Sequence, residues 1–159
     1  MYMERSEVGK GAAVDGLSTA WFRVTALVAA VDTVLGKWLT DTHGIGLADY
    51  RAVLHLSRAS DRELRLNDLA RRVGLNQSSV TRLVERLEGK GLAFRDTCPE
   101  DGRGVYAVIT DQGMDTVEAV REPYEAKIRE LLQHVTEEHP HLDRGDAARA
   151  LEVVAALMR

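Results

Sequence analysis

The stretch Leu66–Phe94, LNDLARRVGLNQSSVTRLVERLEGKGLAF, constrains this chain more than any other. It holds two short amphipathic patterns joined by a tight turn. In the first, Leu69, Ala70 and Val73 share one helical face, with Asn67 placed to cap it. Gly74 follows where the backbone needs positive φ, and Leu75 plugs the turn. In the second, Asn76 stands at the N-cap, and Val80, Leu83, Val84 and Leu87 recur at helical spacing. Gln77, Ser78, Ser79, Thr81, Arg82 and Arg86 lie off that stripe. Such a helix has a dry side that docks and a polar side that suits base edges and phosphates. A helical hairpin in an ordinary core would share part of this pattern. The offset from Ala70 to Gly74, and an outward face of hydroxyls, amide and arginine, favour a helix-turn-helix.

The rest of the composition bounds what can surround this unit. With 159 residues, 45% hydrophobic and 29% charged, the chain has an ordinary globular profile for one domain or two small ones sharing a core. Cys98 is the single cysteine, which excludes an internal disulfide and a multi-cysteine zinc site. No apolar run approaches a membrane span, and the start MYMERSEVGKGAAVDG lacks the apolar centre of a signal peptide. These features lead to the expectation of a cytoplasmic protein without membrane contact. The formal charge is −4, which on its face disfavours nucleic acid. Its distribution matters more: Arg62–Arg103 carries nine basic and seven acidic residues, while the remainder carries twelve and eighteen. The central third is thus the positive part of an acidic chain, which permits phosphate binding.

In chain order, residues 1–16 read as a flexible tail. Leu17–Leu39 reads as a long helix whose Leu17, Trp21, Val24, Val28, Val31, Leu35 and Trp38 form a coiled-coil-like seam, to be buried within the chain or against a second copy. Asp41–Gly46 breaks it, and Leu47–Ser57 is a second helix with Tyr50, Val53 and Leu54 inward. Leu64–Leu66 is a short strand. After the helix-turn-helix, Leu92–Asp96 and Val105–Ile109 form a hairpin around the turn-rich tip Cys98–Gly104. Arg103, flanked by glycines at that tip, suits a narrow and strongly negative minor groove; the plainer alternative is a surface pair with Glu100 or Asp101. Thr110 caps a long helix that contains Pro123 and ends at the polar break Thr136–Leu142; Asp143 caps a last helix.

This order of elements resembles the multiple-antibiotic-resistance regulator family, the MarR-type winged-helix regulators, over roughly Leu17–Met158. Its most specific part is Leu66–Thr110, with Asp101-Gly-Arg103-Gly in the wing and Thr110-Asp-Gln-Gly113 opening the next helix. The resemblance implies a mainly α fold with a small β-hairpin wing: a winged helix-turn-helix over residues 47–110, flanked by a helical dimerisation region over 17–46 and 111–159. It further implies a homodimer on a pseudo-palindromic site in double-stranded DNA, with Asn76, Gln77, Ser78, Ser79, Thr81, Arg82 and Arg86 at the DNA, Arg103 in the minor groove and Asp101 orienting it. A small aromatic or anionic effector is implied between the dimer helices and the winged domain, where Trp38, Tyr50, Arg51 and His55 border the expected cleft. The family's peroxide-sensing branch uses a cysteine near the start of the first helix, and this chain has none there.

Other function classes find less support. No glycine-rich phosphate loop, nucleophile elbow or paired His/Cys set points to an enzyme or to a cofactor. His134, His139 and His141 lie near Glu137 and Glu138, but in a polar break that reads better as a solvated loop than as a metal site. A winged-helix module for a protein partner is the remaining alternative, disfavoured by the polar face and Arg103. Cys98 reads as a passive surface residue rather than a redox switch, since Asp96, Glu100 and Asp101 offset the arginines that would favour its thiolate.

Overall fold

The computed structural model describes residues 15–97, 104–138 and 146–157. Helix α1 spans Asp15–His43. The break expected at Asp41 comes later: Asp41, Thr42 and His43 complete the last turn, and the chain leaves the helix at Gly44, where φ is +67°. Helix α2 spans Leu47–Ser57, as its stripe foretells. Strand β1 is Glu63–Arg65, one residue ahead of expectation.

The helix-turn-helix follows without a spare residue. Helix α3, Leu66–Val73, starts directly from the strand, so Arg65 takes the N-cap position and makes no side-chain cap. Asn67 therefore sits inside the first turn, which corrects its reading as a cap. At the other end Gly74 adopts φ 72°, and Leu75 N–H donates to the Ala70 carbonyl at 2.9 Å. Helix α4 spans Gln77–Gly89, and its Val80, Leu83, Val84 and Leu87 are completely buried.

Strands β2 (Ala93–Thr97) and β3 (Val105–Ile109) form the wing hairpin. With β1 they make an antiparallel sheet in the order β1-β3-β2, in which Ala107 is opposite both Leu64 and Arg95. Thr110 ties the sheet to the next helix. Its hydroxyl donates to the Gly91 carbonyl at 2.6 Å and accepts from the Gly113 N–H at 3.0 Å. Gly113 is wedged there: a Cβ would meet the Leu92 carbonyl and lie 2.6 Å from Ile109 Cγ1. Helix α5 spans Asp111–Glu138 and includes Pro123. It thus runs through Thr136, where a break was expected. Helix α6 spans Asp146–Leu157, and the proposed cap Asp143 lies outside the described residues.

One core joins these elements: Leu35 and Leu39 of α1, Tyr50, Val53 and Leu56 of α2, Leu69 of α3, the α4 stripe, Ala107 and Ile109 of β3, and Val117, Val120 and Tyr124 of α5. The seam of α1 enters it only at its C-terminal end. Leu17, Trp21, Phe22, Val24 and Val28 are exposed in the single chain, Trp21 by 66% and Phe22 by 71%. Leu151, Val153 and Val154 of α6 are exposed as well. An apolar surface of this extent calls for a cover. By length and composition α1 is also long and apolar enough to cross a bilayer, a test that core helices pass too. Against that reading, Leu35 and Leu39 are core, and Asp32 of the same helix pairs with Arg51 of α2.

Candidate nucleic-acid interface

Helix α4 presents its polar side at the surface because its other side is spent on the core. Asn76 (φ −81°, ψ 171°) caps it, accepting from Ser79 N–H at 2.9 Å and from the Ser78 hydroxyl at 2.9 Å. The cap satisfies one of the free N–H groups at the helix start and leaves the partial positive charge of that end facing outward. No acidic residue lies in the first turn to cancel it. Gln77, Ser78 and Arg82 are exposed, and Ser79 and Thr81 are half-buried. Thr81 is partly occupied, its hydroxyl donating to the Gln77 carbonyl at 2.9 Å. Arg82, one turn beyond Ser78, forms no ion pair with any described residue. This surface can accept an anion at its start and offer a bidentate guanidinium from its middle.

Arg86 is engaged otherwise than expected. Its Nη2 lies 2.9 Å and its Nε 3.3 Å from Asp49 Oδ1, while Lys90 Nζ holds Asp49 Oδ2 at 2.9 Å. Asp49 is only 4% exposed and is the one buried charged residue among those described. The sequence hid this because Asp49 and Arg86 lie 37 positions apart on different helices. Arg86 is thus held to α2 by Asp49, with about half of its side chain still exposed.

The rest of α4 is latched to the wing. Arg95 of β2 pairs with Glu88 at 3.0 Å and Glu85 at 3.6 Å, and its own N–H donates to Glu88 at 2.7 Å. That backbone bond, with the guanidinium beside it, holds the Glu88 carboxyl below its usual range. The two acids of α4 are so neutralised from within the fold. On the far side of the turn, an open cleft of about 400 Å³ is lined by Asn67, Ala70, Arg71 and Gln77. Asn67 and Arg71 share a face of α3 at a spacing of four, and Arg71 pairs with Asp68 of the same helix. Near the sheet edge, Arg65 lies over the Tyr106 ring at 5.5 Å and donates to its hydroxyl at 2.8 Å. Asp101, Arg103 and Cys98 at the wing tip lie outside the described residues, as do His139 and His141.

The four residues expected around an effector are not gathered in one place. Tyr50 is fully buried against Tyr124, ring centres 4.7 Å apart, with no partner for its hydroxyl. Burial, with Tyr124 adding to it, pushes its pKa up to about 12. Trp38 packs on the core with its ring edge-on to His43 at 5.1 Å. His55 is held below its usual pKa by burial first and then by Arg72, Arg58 and Arg51. Arg51 alone borders a cavity, one of about 150 Å³ walled by Leu27, Val28, Val31, Leu35, Ile128, Leu132 and Leu151, with Asp32. Its guanidinium binds both Asp32 oxygens, at 3.0 and 2.7 Å, and these bonds raise its pKa. Residues 50 and 51 diverge because neighbours on a helix point about 100° apart.

Comparison with known proteins places this arrangement. A family model described as MarR family matches residues 43–104. The helix-turn-helix-type transcriptional regulator YdgJ of Bacillus subtilis (strain 168) is 34% identical over 112 residues, which cover 70% of this chain and 67% of that protein. Among solved structures, Sco3205 of Streptomyces coelicolor, a MarR family regulator in complex with DNA, matches with a TM-score of 0.73 at 20% identity, over 96% of this chain and 91% of that one. AbsC from the same organism, also a MarR family regulator, gives 0.71 at 24% identity, over 97% and 99%.

Proposed function

This chain belongs to the MarR family of transcriptional regulators, and from that membership we propose that it is a ligand-responsive repressor binding a pseudo-palindromic operator as a homodimer in the cytoplasm. The observation that carries this reading is α4: four completely buried apolar residues on one side, and on the other a capped, acid-free first turn with Gln77, Ser78 and Arg82 exposed. Two such helices, one per subunit, would enter successive major grooves with their N-terminal ends foremost. Arg103 would lie in the adjacent minor groove, oriented by Asp101. The bare seam of α1 and the exposed face of α6 support pairing between copies, with residues 17–46 and 111–159 as the dimerisation region.

The effector is a small molecule with an apolar body and an anionic group. The cavity beside Arg51 supports this, being apolar on most sides with the Arg51–Asp32 ion pair at one end, where an anionic group would compete with Asp32 for the guanidinium. Occupying it would separate Arg51 from Asp32 and so disturb the packing of α1 on α2. A mobility-shift titration against the DNA flanking its own gene tests the reading. Saturable retardation that resists scrambled competitor supports it, and no retardation at micromolar protein rejects it.

A further inference from the structure

The recognition helix is fixed at one end by its cap and at the other by a polar clamp to α2. Asp49 sits in the first turn of α2 and is almost wholly buried. Arg86 and Lys90, from the last turn of α4 and just beyond it, each hold a different oxygen of its carboxylate at 2.9 Å. Their side chains stay about half exposed, so the charges are neutralised on the protein side while solvent reaches the cations. Apolar contacts from Val80, Leu83 and Leu87 set how deep α4 sits, but the hydrophobic force behind them is non-directional. A two-oxygen, two-cation clamp adds direction. Helix α2 in turn packs on α5 and on α1 through the Arg51–Asp32 pair.

We propose that Asp49 is a positioning residue that sets the angle of the recognition helix, acting through Arg86 and Lys90, and that it determines base discrimination rather than bulk affinity. Base contacts are short and directional, whereas phosphate attraction falls off slowly with distance. A small rotation of α4 therefore costs the first and spares the second. The assignment rests on the DNA-binding reading above.

The test is a set of anisotropy titrations on cognate and scrambled duplexes over a range of salt, for wild type, Asp49→Asn, Arg86→Gln, Arg86→Lys and Lys90→Gln. Asp49→Asn should lower the cognate-to-scrambled affinity ratio by roughly tenfold, about the worth of one base contact, with the salt slope unchanged. Arg86→Gln should do likewise, and Arg86→Lys should retain most of the ratio. If Arg86 instead touched a phosphate, Arg86→Gln would cut the slope by about 0.9 and leave the ratio alone. That result, or an equal loss on both duplexes in every variant, overturns the proposal. Should Asp49→Asn fail to fold, the half-exposed Arg86→Gln and Lys90→Gln carry the same comparison. Wild type that shows no affinity for either duplex, or binds both equally, sinks the DNA reading itself and leaves Asp49 nothing to position.

Discussion

Replacing Asn76 separates what the recognition helix needs to form from what it needs to bind. The side chain accepts two hydrogen bonds, from Ser79 N–H and the Ser78 hydroxyl, both at 2.9 Å. Asn76→Ala removes both. The Ser78 hydroxyl is exposed and regains water, so its loss adds little. The backbone bond is the larger part, and losing an N-cap costs about 1 kcal/mol. For a chain of this size that lowers the melting temperature by about 2–4 °C. Asn76→Asp behaves oppositely. It keeps the acceptor and adds negative charge at the positive end of the helix, worth about 0.3–1 kcal/mol of added stability. The same charge faces the phosphates and weakens DNA binding. Thermal melts by circular dichroism at fixed protein concentration, paired with anisotropy titrations, read both effects. An alanine variant that melts with wild type, or an aspartate variant that binds DNA as tightly as wild type, would refute the reasoning.

Other substitutions probe the remaining links. Gly113→Ala should cost about 3 kcal/mol or more in denaturant melts, because its Cβ meets a backbone carbonyl and Ile109, whereas Gly16→Ala, in open space at the start of α1, should cost nothing and stabilise slightly. His55 should make the protein acid-sensitive. Its folded pKa lies below the usual 6.5, so stability is full above that pH and is lost as the pH falls from there towards the folded value; His55→Gln should flatten that limb of a melting-temperature profile. Arg82→Ala should cost about 1–3 kcal/mol at the cognate site and relax preference at one base position, and a loss spread evenly over all sequences would mark it as a phosphate contact.

What the sequence announced and what it withheld divide along a physical line. Local signals were legible: the Asn76 cap, the positive φ of Gly74, the α4 stripe and the Thr110 cap depend on residues within a turn or two of each other. Helix ends were less so. Asp41-Thr-His and Thr136 include no glycine or proline that would stop a helix, and Asn67 lost its cap role to a strand that ends one residue before α3 begins. Contacts between distant positions were not legible at all. Arg86 reads as a free cation until α2 brings Asp49 against it, and Tyr50 and Arg51 read as neighbours in a cleft until the helix turns one into the core and the other towards Asp32.

The central claim is that two copies of α4 read one DNA site together. The most direct measurement is a stoichiometric anisotropy titration, with the duplex from beside the protein's own gene held far above the dissociation constant. The account predicts a sharp break at two chains per duplex, and an affinity that falls steeply with salt as several phosphates are neutralised per subunit. A break at one chain per duplex, or binding indifferent to salt, would contradict it.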